Sequence, residues 1–515
     1  MNRRLGTGGF LLTALLVAAA LLLATAWFNY RADRWGIFAA DYQTFNGMAR
    51  PNRHWLKTRF LATTDSDYDC LIMGSSRVGS LDPRRAPGHC YNFWHSGGLP
   101  ANHLQALRTL IDSGVTLKRV YLGLDDISWF WNPEDNRSHY LRRGYPVDWQ
   151  DRFAGMVFYL FTPMTLDDLG NALGSVPKQV QPEVILDTAK DWERIDAESR
   201  EMFAAPVAQD KRFRGINATL SARMSGSGYR GEAAAAEVAA FLELARAHGI
   251  EVTLFFNPLH YKTYLTRDYP YVLDFKRRIA ALQGFHDFTG LNRYSSDNRY
   301  WKEASHYTSL VGETMLDVMV DGAAPAEGFG EFVTSATLAR REGQQLQRDL
   351  AYLPELLRKE GLLQVPLRFY AALQQRGALL RAPVRQPSDV GNTALVAGGA
   401  IQVERGDAAR LRRPGIWTGL PEGSLFILRY SLESAERSRL LFNLRWGPDG
   451  YGGGNWRDLR VIILPGLNEG FVAGYASLAN PPLRVHLANG DVHQQWQPLE
   501  LDLIDSAAVQ TSRTP

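Results

Sequence analysis

The chain has 515 residues, of which 45% are hydrophobic and 22% charged, so it is long enough for two or three folded domains. Its net charge of +3 is close to balance and no lysine or arginine block occurs, which excludes the basic tracts typical of nucleic-acid-binding proteins. The 2 cysteines and 11 histidines do not cluster at metal-ligand spacing, and no P-loop-like glycine motif occurs. The sequence therefore predicts neither a metal site nor another cofactor.

The first 30 residues (1–30) have the pattern of a membrane segment. Residues 8–28 carry no charge, and Arg3 and Arg4 precede them. About 20 apolar residues cross a bilayer as a helix, and the positive N-terminal flank predicts an N-terminus in the cytoplasm. A cleaved signal peptide is the alternative, because residues 24–26 form a small-x-small site. We expect a single-pass inner (cytoplasmic) membrane protein whose body lies in the periplasm or outside the cell.

A juxtamembrane connector, residues 31–64, leads to a short apolar run, Cys70 to Met73, which predicts a buried parallel strand. Ser75 and Ser76 follow it. Because ligands bind outside the carboxyl ends of such strands, a serine hydroxyl there is a candidate nucleophile. The alternative is that the serine only caps a helix. A nucleophilic serine needs a base, and the best candidate in the sequence is the Glu303-x-x-His306 motif far downstream.

The Gly74-Ser75-Ser76 motif after a strand, together with Glu303-x-x-His306, resembles the SGNH (GDSL-like) hydrolase superfamily. More narrowly, the chain is similar to its membrane-anchored branch, which includes proteins of alginate O-acetylation and of teichoic acid D-alanylation. The resemblance covers roughly residues 60 to 320. It implies that Ser76 is the nucleophile and His306 the base. Glu303 stands where the family has an aspartate and would orient the histidine.

The resemblance also implies an oxyanion hole. Gly97 and Gly98 follow the second predicted strand, residues 90–93, and one of their amides would donate to the oxyanion. The third strand, residues 119–124, ends at Asp125, where the family has an asparagine. An ionised carboxylate only accepts hydrogen bonds. Asp125 is therefore protonated or has another role, or the hole rests on backbone donors alone.

Three more residues are candidates for the same site. Ser75 is the alternative nucleophile. Arg77, beside the serines, would bind an anionic sugar or form a surface ion pair. His260 follows the predicted strand at residues 252–256 and is a second candidate base, although a lone histidine is more often structural.

The two cysteines, Cys70 and Cys90, open two predicted strands. Export to an oxidising compartment permits a disulfide between them. Two buried free thiols are the alternative, because cysteine is among the most buried residue types.

Strands alternate with helices over residues 65–322, which predicts an α/β domain with a parallel sheet in a flavodoxin-like order. A helical insertion, at about 126–230, interrupts it. We expect a helical linker at 329–378 and a β-sandwich at 379–505, where short β-type runs are separated by turns. The tryptophans of that region either stack on sugar rings or belong to the core: Trp417, Trp446, Trp456 and Trp496.

Together these patterns predict a membrane-anchored extracytoplasmic acyltransferase or esterase. Its Ser-His-acid triad would act on O-acyl groups of a cell-surface or exported polysaccharide, alongside other polysaccharide-modification proteins. The sequence does not choose between transfer and hydrolysis. The alternative is a non-catalytic anchored scaffold that binds polysaccharide or partner proteins. The departures from the family pattern at Asp125 and Glu303 favour that alternative.

Overall fold

The computed structural model describes most of the chain, with gaps. The described residues are 7–38, 44–46, 50–133, 140–163, 178–180, 185, 188–205, 213, 228–381, 384–385, 395–396, 400–401, 415–418, 420–434, 438–445, 456–478, 482–487, 495–496 and 500–505. Within them the α-helices are α1 (Thr7–Ala32), α2 (Arg53–Thr63), α3 (Pro100–Asp112), α4 (Trp149–Leu160), α5 (Ala189–Ala204), α6 (Gly231–Ala247), α7 (Tyr261–Tyr264), α8 (Tyr269–Leu282), α9 (Arg293–Ser296), α10 (Ser309–Met319), α11 (Leu338–Glu360) and α12 (Leu367–Gln375).

The strands of the described residues fall into a first group within and beside the α/β region and a second group towards the C-terminus. The first group is β1 (Thr44–Asn46), β2 (Cys70–Gly74), β3 (Cys90–Trp94), β4 (Arg119–Leu124), β5 (Lys178–Val180), β6 (Glu251–Phe256), β7 (Phe285–Asp287) and β8 (Glu331–Val333). The second group is β9 (Leu362–Val365), β10 (Leu379–Arg381), β11 (Val384–Arg385), β12 (Leu395–Val396), β13 (Ala400–Ile401), β14 (Gly415–Thr418), β15 (Leu425–Ser434), β16 (Ser438–Arg445), β17 (Trp456–Ile463), β18 (Gly466–Tyr475), β19 (Pro482–Leu487), β20 (Gln495–Trp496) and β21 (Glu500–Ile504).

The N-terminal helix α1 is long and apolar enough to cross a membrane. Within Gly9–Ala32, its most apolar stretch of 18 residues has a mean hydropathy of 2.4, and none of that stretch is buried against the rest of the protein. An exposed apolar helix of this length matches the thickness of a bilayer rather than the interior of a soluble domain.

A six-stranded mixed sheet has the strand order β3-β2-β4-β6-β7-β8. Strand β2 pairs in parallel with both β3 and β4, whereas β7 and β8 are antiparallel. The first five strands therefore follow the order 2-1-3-4-5, which is typical of flavodoxin-like sheets. All five residues of β2 are buried, as expected of a strand covered on both faces. The prediction of an α/β protein with a sheet dominated by parallel strands is confirmed.

The two cysteines form a disulfide between neighbouring strands. Cys70 of β2 lies opposite Cys90 of β3 in the parallel register, and their side chains are bonded. The disulfide closes a loop with a sequence separation of 20 residues. The sequence left open whether the two cysteines are paired or are free thiols, and in the structure they are paired.

The chain forms two compact units. The first comprises Met1–Glu198, Glu232–Phe255 and Gly312–Asp321; the second comprises Ser199–Gly231, Phe256–Val311 and Gly322–Pro515. Much of the predicted helical insertion lies outside the described residues. Its described part includes α4 and α5, and also the short strand β5.

The C-terminal part of the second unit contains a separate antiparallel β region. Its two larger sheets have the orders β10-β21-β15-β18-β9, with β20 also paired to β15, and β11-β14-β19-β16-β17. One shared core joins residues of both sheets, for example Phe426 and Leu428 of β15 with Leu440 and Phe442 of β16. Two antiparallel sheets with one common apolar layer form a sandwich.

Strand β18 is the main β element that the sequence patterns did not predict. Its glycines Gly466, Gly470 and Gly474 suggest turns rather than a strand. In the structure, the Tyr430 and Phe426 rings of the neighbouring β15 occupy the space that a Cβ at Gly470 or Gly474 would need. Gly470 and Gly474 are therefore required by packing within the sheet.

The predicted helical linker at 329–378 contains α11 and α12, and also strands β8 and β9, which join two different sheets. Helix α11 is held by buried charges of the second unit. Lys276 Nζ of α8 lies 2.9 Å from Asp287 Oδ2 of β7 and 2.7 Å from Glu342 Oε1 of α11. Removing one member of such a buried group leaves an uncompensated charge, so the segment is an integral part of the unit.

Candidate functional site

The end of strand β2 holds the two serines in different environments. Ser75 is 2% exposed and caps the 3₁₀ helix Ser76–Ser80, since its Oγ accepts a hydrogen bond from Arg77 N at 3.3 Å. Ser76 is the first residue of that helix and is partly exposed. The capping role that the sequence left open for Ser76 thus belongs to Ser75. Ser76 is the serine that solvent reaches.

Arg77 links the ends of strands β2 and β4 through buried charges. Its Nη1 lies 3.1 Å from Asp125 Oδ2 and 2.5 Å from Asp126 Oδ1. Ser75 Oγ donates to Asp125 Oδ2 at 2.5 Å. Burial raises the pKa of Asp125, while the Arg77 charge opposes that rise. We call Ser75, Arg77, Asp125 and Asp126 the strand-end ion cluster.

This cluster corrects two expectations. Arg77 was expected to bind an anionic sugar or to form a surface ion pair, but its side chain is buried and bound to two aspartates. Asp125 was a candidate for the oxyanion hole. Its carboxylate accepts from Ser75 and Arg77, and it also caps the 3₁₀ helix Asp126–Trp129 by accepting from Ile127 N. Asp125 therefore has a structural role instead of one in an oxyanion hole, which is one of the alternatives that the sequence left open for it.

The two glycines after β3 differ in a similar way. Gly98 N donates to His95 O at 3.2 Å, and a Cβ at Gly98 would lie 2.7 Å from Gly74 O. Gly98 is thus part of a tight, buried turn against the end of β2. Gly97 is partly exposed and has a φ of +62°. Gly97 is therefore the better candidate for an amide that faces a ligand.

Glu303 and His306 form a carboxylate–imidazole pair. Glu303 Oε1 is hydrogen-bonded to His306 Nδ1, and Glu303 Oε2 accepts from Ser305 N at 3.0 Å. Burial would raise the pKa of Glu303, but the hydrogen bond and charge of His306 outweigh it and lower that pKa. The His306 side chain is 37% exposed. A carboxylate on Nδ1 orients an imidazole so that Nε2 can act as the base.

Two buried aromatic residues hold the loop that carries this pair. Trp301 and Tyr307 pair across the loop as an isolated antiparallel bridge, and both are fully buried. Trp301 Nε1 donates to Tyr294 O at 2.8 Å, and Tyr307 Oη donates to Asn257 Oδ1 at 3.0 Å. The Glu303–His306 pair is therefore presented by an anchored loop.

His260 is not a second base. It is fully buried and caps α7, since Lys262 N donates to its Nδ1 at 3.3 Å. Its Nε2 lies 2.9 Å from Asn298 Oδ1, so the neutral ring carries its proton on Nε2. Burial lowers the pKa of His260 well below its ordinary value. The expectation of a candidate base is corrected: both ring nitrogens are occupied, as in a structural histidine.

The structure brings the candidate residues together in two groups. Ser75, Ser76, Arg77, Gly97, Gly98 and Asp125 belong to the first unit; His260, Glu303 and His306 belong to the second. The described part of the structure does not include Trp446 or the side chains of Trp417, Trp456 and Trp496, the candidates for sugar stacking.

A stack of three buried histidines behind the end of β3 was not predicted. The rings of His54 and His95 lie 4.6 Å apart, and those of His95 and His103 lie 4.9 Å apart. His54 Nδ1 lies 2.7 Å from Arg142 O. Burial lowers the pKa of His54 to about 4 and that of His103 to about 3. The three residues come from separate elements, so no sequence spacing indicates the stack.

These rings do not form a metal site. Across the described ranges, no group of three or more histidine, cysteine, aspartate or glutamate side chains has an arrangement that would hold a metal ion.

Comparison with known proteins identifies no family. No family model matches the chain, and no curated protein matches it. The apo structure of BiXyn10A CBM1 is similar at 11% identity and a TM-score of 0.17, over 25% of this chain and 94% of that chain. The capsular polysaccharide assembling protein CapF from Staphylococcus aureus is similar at 11% identity and a TM-score of 0.16, over 84% of this chain and 96% of that chain. TM-scores this low do not indicate a shared fold or a shared function.

The strand-end ion cluster predicts a large effect of removing its cation. Arg77→Met leaves two aspartates buried without their partner, and we expect it to lower the free energy of unfolding by about 3–5 kcal/mol. Arg84→Met is the matched control, because the Arg84 side chain is 43% exposed and an ion pair of this kind near the surface contributes about 1 kcal/mol or less. Urea unfolding of the full-length protein in detergent measures both. Equal effects of the two substitutions would contradict a structural role for the cluster.

The histidine stack predicts sensitivity to acid. Folding lowers the pKa values of His54 and His103, so below about pH 6.5 the unfolded state binds more protons than the folded state. The free energy of unfolding therefore decreases as the pH decreases. Each of the two removes about 1.4 kcal/mol per pH unit between about pH 6.5 and its folded pKa. We expect His103→Leu to flatten the pH dependence of the unfolding free energy between pH values of about 6 and 4. The exposed His248 provides the control substitution His248→Leu, and an identical slope in both variants would refute the linkage.

Proposed function

We propose that this chain is a membrane-anchored serine acyltransferase or esterase of the SGNH type. The observation that carries the proposal is the Glu303–His306 pair, a carboxylate bonded to Nδ1 of a partly exposed imidazole. The same pairing orients the base of serine hydrolases and stabilises the imidazolium that forms when the base takes a proton. In this proposal His306 Nε2 is the base.

The position of Ser76 supports its choice as the nucleophile. Ser76 follows β2. In a flavodoxin-like sheet the strand order reverses between this strand and its neighbour β4. Ligands of open α/β sheets bind in the crevice outside the strand ends at that point. Ser75 at the same strand end is a buried cap bound to Asp125, so Ser76 is the better nucleophile of the two.

Chain connectivity gives the proposal further support. Helix α10 begins three residues after His306. Within the first unit, Gly312 of this helix packs so closely on the Ser76–Ser80 helix that a Cβ would clash with the Ser80 carbonyl oxygen. The loop that carries the proposed base thus continues directly into a helix that packs on the segment that carries the proposed nucleophile.

The proposed reaction is acyl transfer in two steps. Ser76 Oγ attacks the ester carbonyl while His306 Nε2 accepts the hydroxyl proton, and the bond to the departing alkoxide breaks as that alkoxide receives the proton. The acyl group is then bonded to Ser76. An acceptor hydroxyl, from a sugar or from water, next loses its proton to His306 and attacks the acyl carbonyl. The bond between the acyl group and Ser76 Oγ then breaks as His306 gives that proton to Ser76 Oγ. Glu303 holds the imidazole in the required tautomer throughout.

Backbone amides are the proposed oxyanion donors. The Asp125 carboxylate is engaged with Ser75 and Arg77, and the Gly98 amide is engaged with His95. We therefore assign the oxyanion to the amides of Ser76 and Gly97. A single donor of this kind is worth roughly 3 kcal/mol in the transition state.

An exported polymer is the proposed substrate. Helix α1 is suited to a membrane anchor, and the Cys70–Cys90 disulfide is typical of an oxidising compartment, which together favour a body on the outer side of the inner membrane. The resemblance to alginate O-acetylation and teichoic acid D-alanylation proteins favours O-acyl groups of a polysaccharide as the reacting groups, with other polysaccharide-modification proteins as partners. The β-sandwich would supply the surface for the polymer.

The second candidate is a non-catalytic anchored scaffold. It is favoured by the two oxyanion candidates that are bound elsewhere, Asp125 in the strand-end ion cluster and Gly98 in its turn. A scaffold would retain the fold and bind polysaccharide or partner proteins without turnover.

Turnover of p-nitrophenyl acetate by the full-length protein in detergent separates the two candidates. We expect Ser76→Ala and His306→Ala each to lower kcat/KM by roughly 10⁴-fold or more, because the two residues act as one unit. Glu303→Gln preserves the size of the side chain but not its charge, and we expect a loss of up to about 10⁴-fold.

Ser113→Ala at the end of α3 is the control for the loss of a serine hydroxyl, and circular dichroism checks that each variant is folded. Full activity of folded Ser76→Ala would exclude this nucleophile. An inert wild type, tested also with O-acetylated polysaccharide, would favour the scaffold.

A further inference from the structure

Helix α4 (Trp149–Leu160) has two apolar faces, of which the protein covers only one. On the inner face, Tyr159 is buried in a cluster with Ile37, Trp55 and Tyr145. Gly155 lies so close to Trp55 that a Cβ there would be 2.8 Å from its ring. This face packs α4 onto the first unit.

The outer face of α4 carries large apolar side chains in solvent. Trp149 is 66% and Phe153 62% exposed. The two side chains are four residues apart and therefore about 40° apart around the helix, which makes them one stripe. Val147 before the helix and Phe161 after it are also exposed. A surface helix of a soluble domain normally turns charged and polar residues outward, so this stripe indicates a partner.

Helix α4 is attached to the end of the proposed membrane span. Asn29 Nδ2 of α1 donates to Leu160 O at 2.8 Å and to Thr162 O at 3.0 Å. Just after α1, the Trp35 ring lies 6.4 Å from the Tyr159 ring. Helix α1 contacts α4, and within α1 Phe28 and Asn29 are partly buried, whereas the side chains from Phe10 to Ala24 are exposed.

The length of α1 sets the depth of this attachment. A hydrocarbon core of about 30 Å takes up about 20 helical residues, so a span that begins at Gly9 ends near Phe28. Asn29, the residue after Phe28, is hydrogen-bonded to the C-terminal end of α4 and would lie at the level of the lipid headgroups. Trp27 and Tyr30 of α1 are exposed at the same level, where tryptophan and tyrosine are enriched in membrane proteins.

We propose that α4 lies in the membrane interface, with Trp149 and Phe153 inserted among the lipids of the leaflet at which α1 ends. The occupant of the exposed stripe is thus the bilayer itself, and α4 is a second membrane attachment of the first unit beside α1. The inference rests on α1 spanning the membrane and is independent of the proposed acyl transfer. It follows from the attachment of α4 to the end of the span through Asn29, and from the large apolar rings that such interfacial helices use.

Spin labels on single cysteines test this in the full-length protein. The native cysteines are paired, so a cysteine introduced at Phe153→Cys or Trp149→Cys is the thiol that reacts. The control is Asp151→Cys, which is exposed and lies about 200° around the helix from Trp149. Leu16→Cys in the middle of α1 tests the premise that this helix spans. The protein is reconstituted into vesicles of phosphatidylethanolamine with phosphatidylglycerol, and accessibility to oxygen is compared with accessibility to an aqueous nickel reagent.

We expect labels at residues 149, 153 and 16 to be several-fold more accessible to oxygen than to the nickel reagent, and the label at residue 151 to show the reverse. Equal nickel accessibility at 153 and 151, with 16 in lipid, would overturn the interfacial position of α4. A label at 153 shielded from both reagents would overturn it in favour of a protein contact. A water-accessible label at 16 would refute the premise, and with it the proposal.

Discussion

The ion cluster at the ends of strands β2 and β4 is the constraint on which the first unit depends. Arg77 cannot be buried without a counter-charge, and Asp125 and Asp126 provide it from the neighbouring strand. The same contacts fix Ser75 as the cap of the next helix and leave Ser76 at its start. The cluster therefore decides which serine is presented to solvent at the switch point of the sheet.

In the second unit, too, buried side chains fix the position of the candidate residues. Trp301 and Tyr307 hold a short loop by burying their rings, and the loop in turn holds Glu303 against His306. Both groups of residues are thus local features, each built by the packing of its own unit. The proposed chemistry needs both groups of residues. The chain runs from the His306 loop directly into α10, whose Gly312 packs against Ser80 within the first unit. This chain connectivity and the strand order support the proposed function.

The sequence predicted the features that short-range patterns encode. The apolar runs of β2, β3 and β4, the apolar span of α1 and the Glu303-x-x-His306 pair were all visible in it. It did not predict the direction of the Arg77 side chain, which depends on Asp126, 49 residues further along the chain. It also missed the histidine stack, whose members come from three parts of the chain, and β18, whose Gly470 and Gly474 are explained only by the rings of the neighbouring β15. In each case the deciding contact joins residues far apart in the chain.

Covalent trapping of the nucleophile tests the central claim most directly. The full-length protein is treated with a fluorophosphonate, which forms a stable phosphorus–oxygen bond with an activated serine, and the modified residue is located by peptide mass spectrometry. We predict a single modification on Ser76 that is lost in His306→Ala while the variant stays folded. Modification of Ser75 instead, or labelling of Ser76 that does not depend on His306, would contradict the proposed pairing of nucleophile and base.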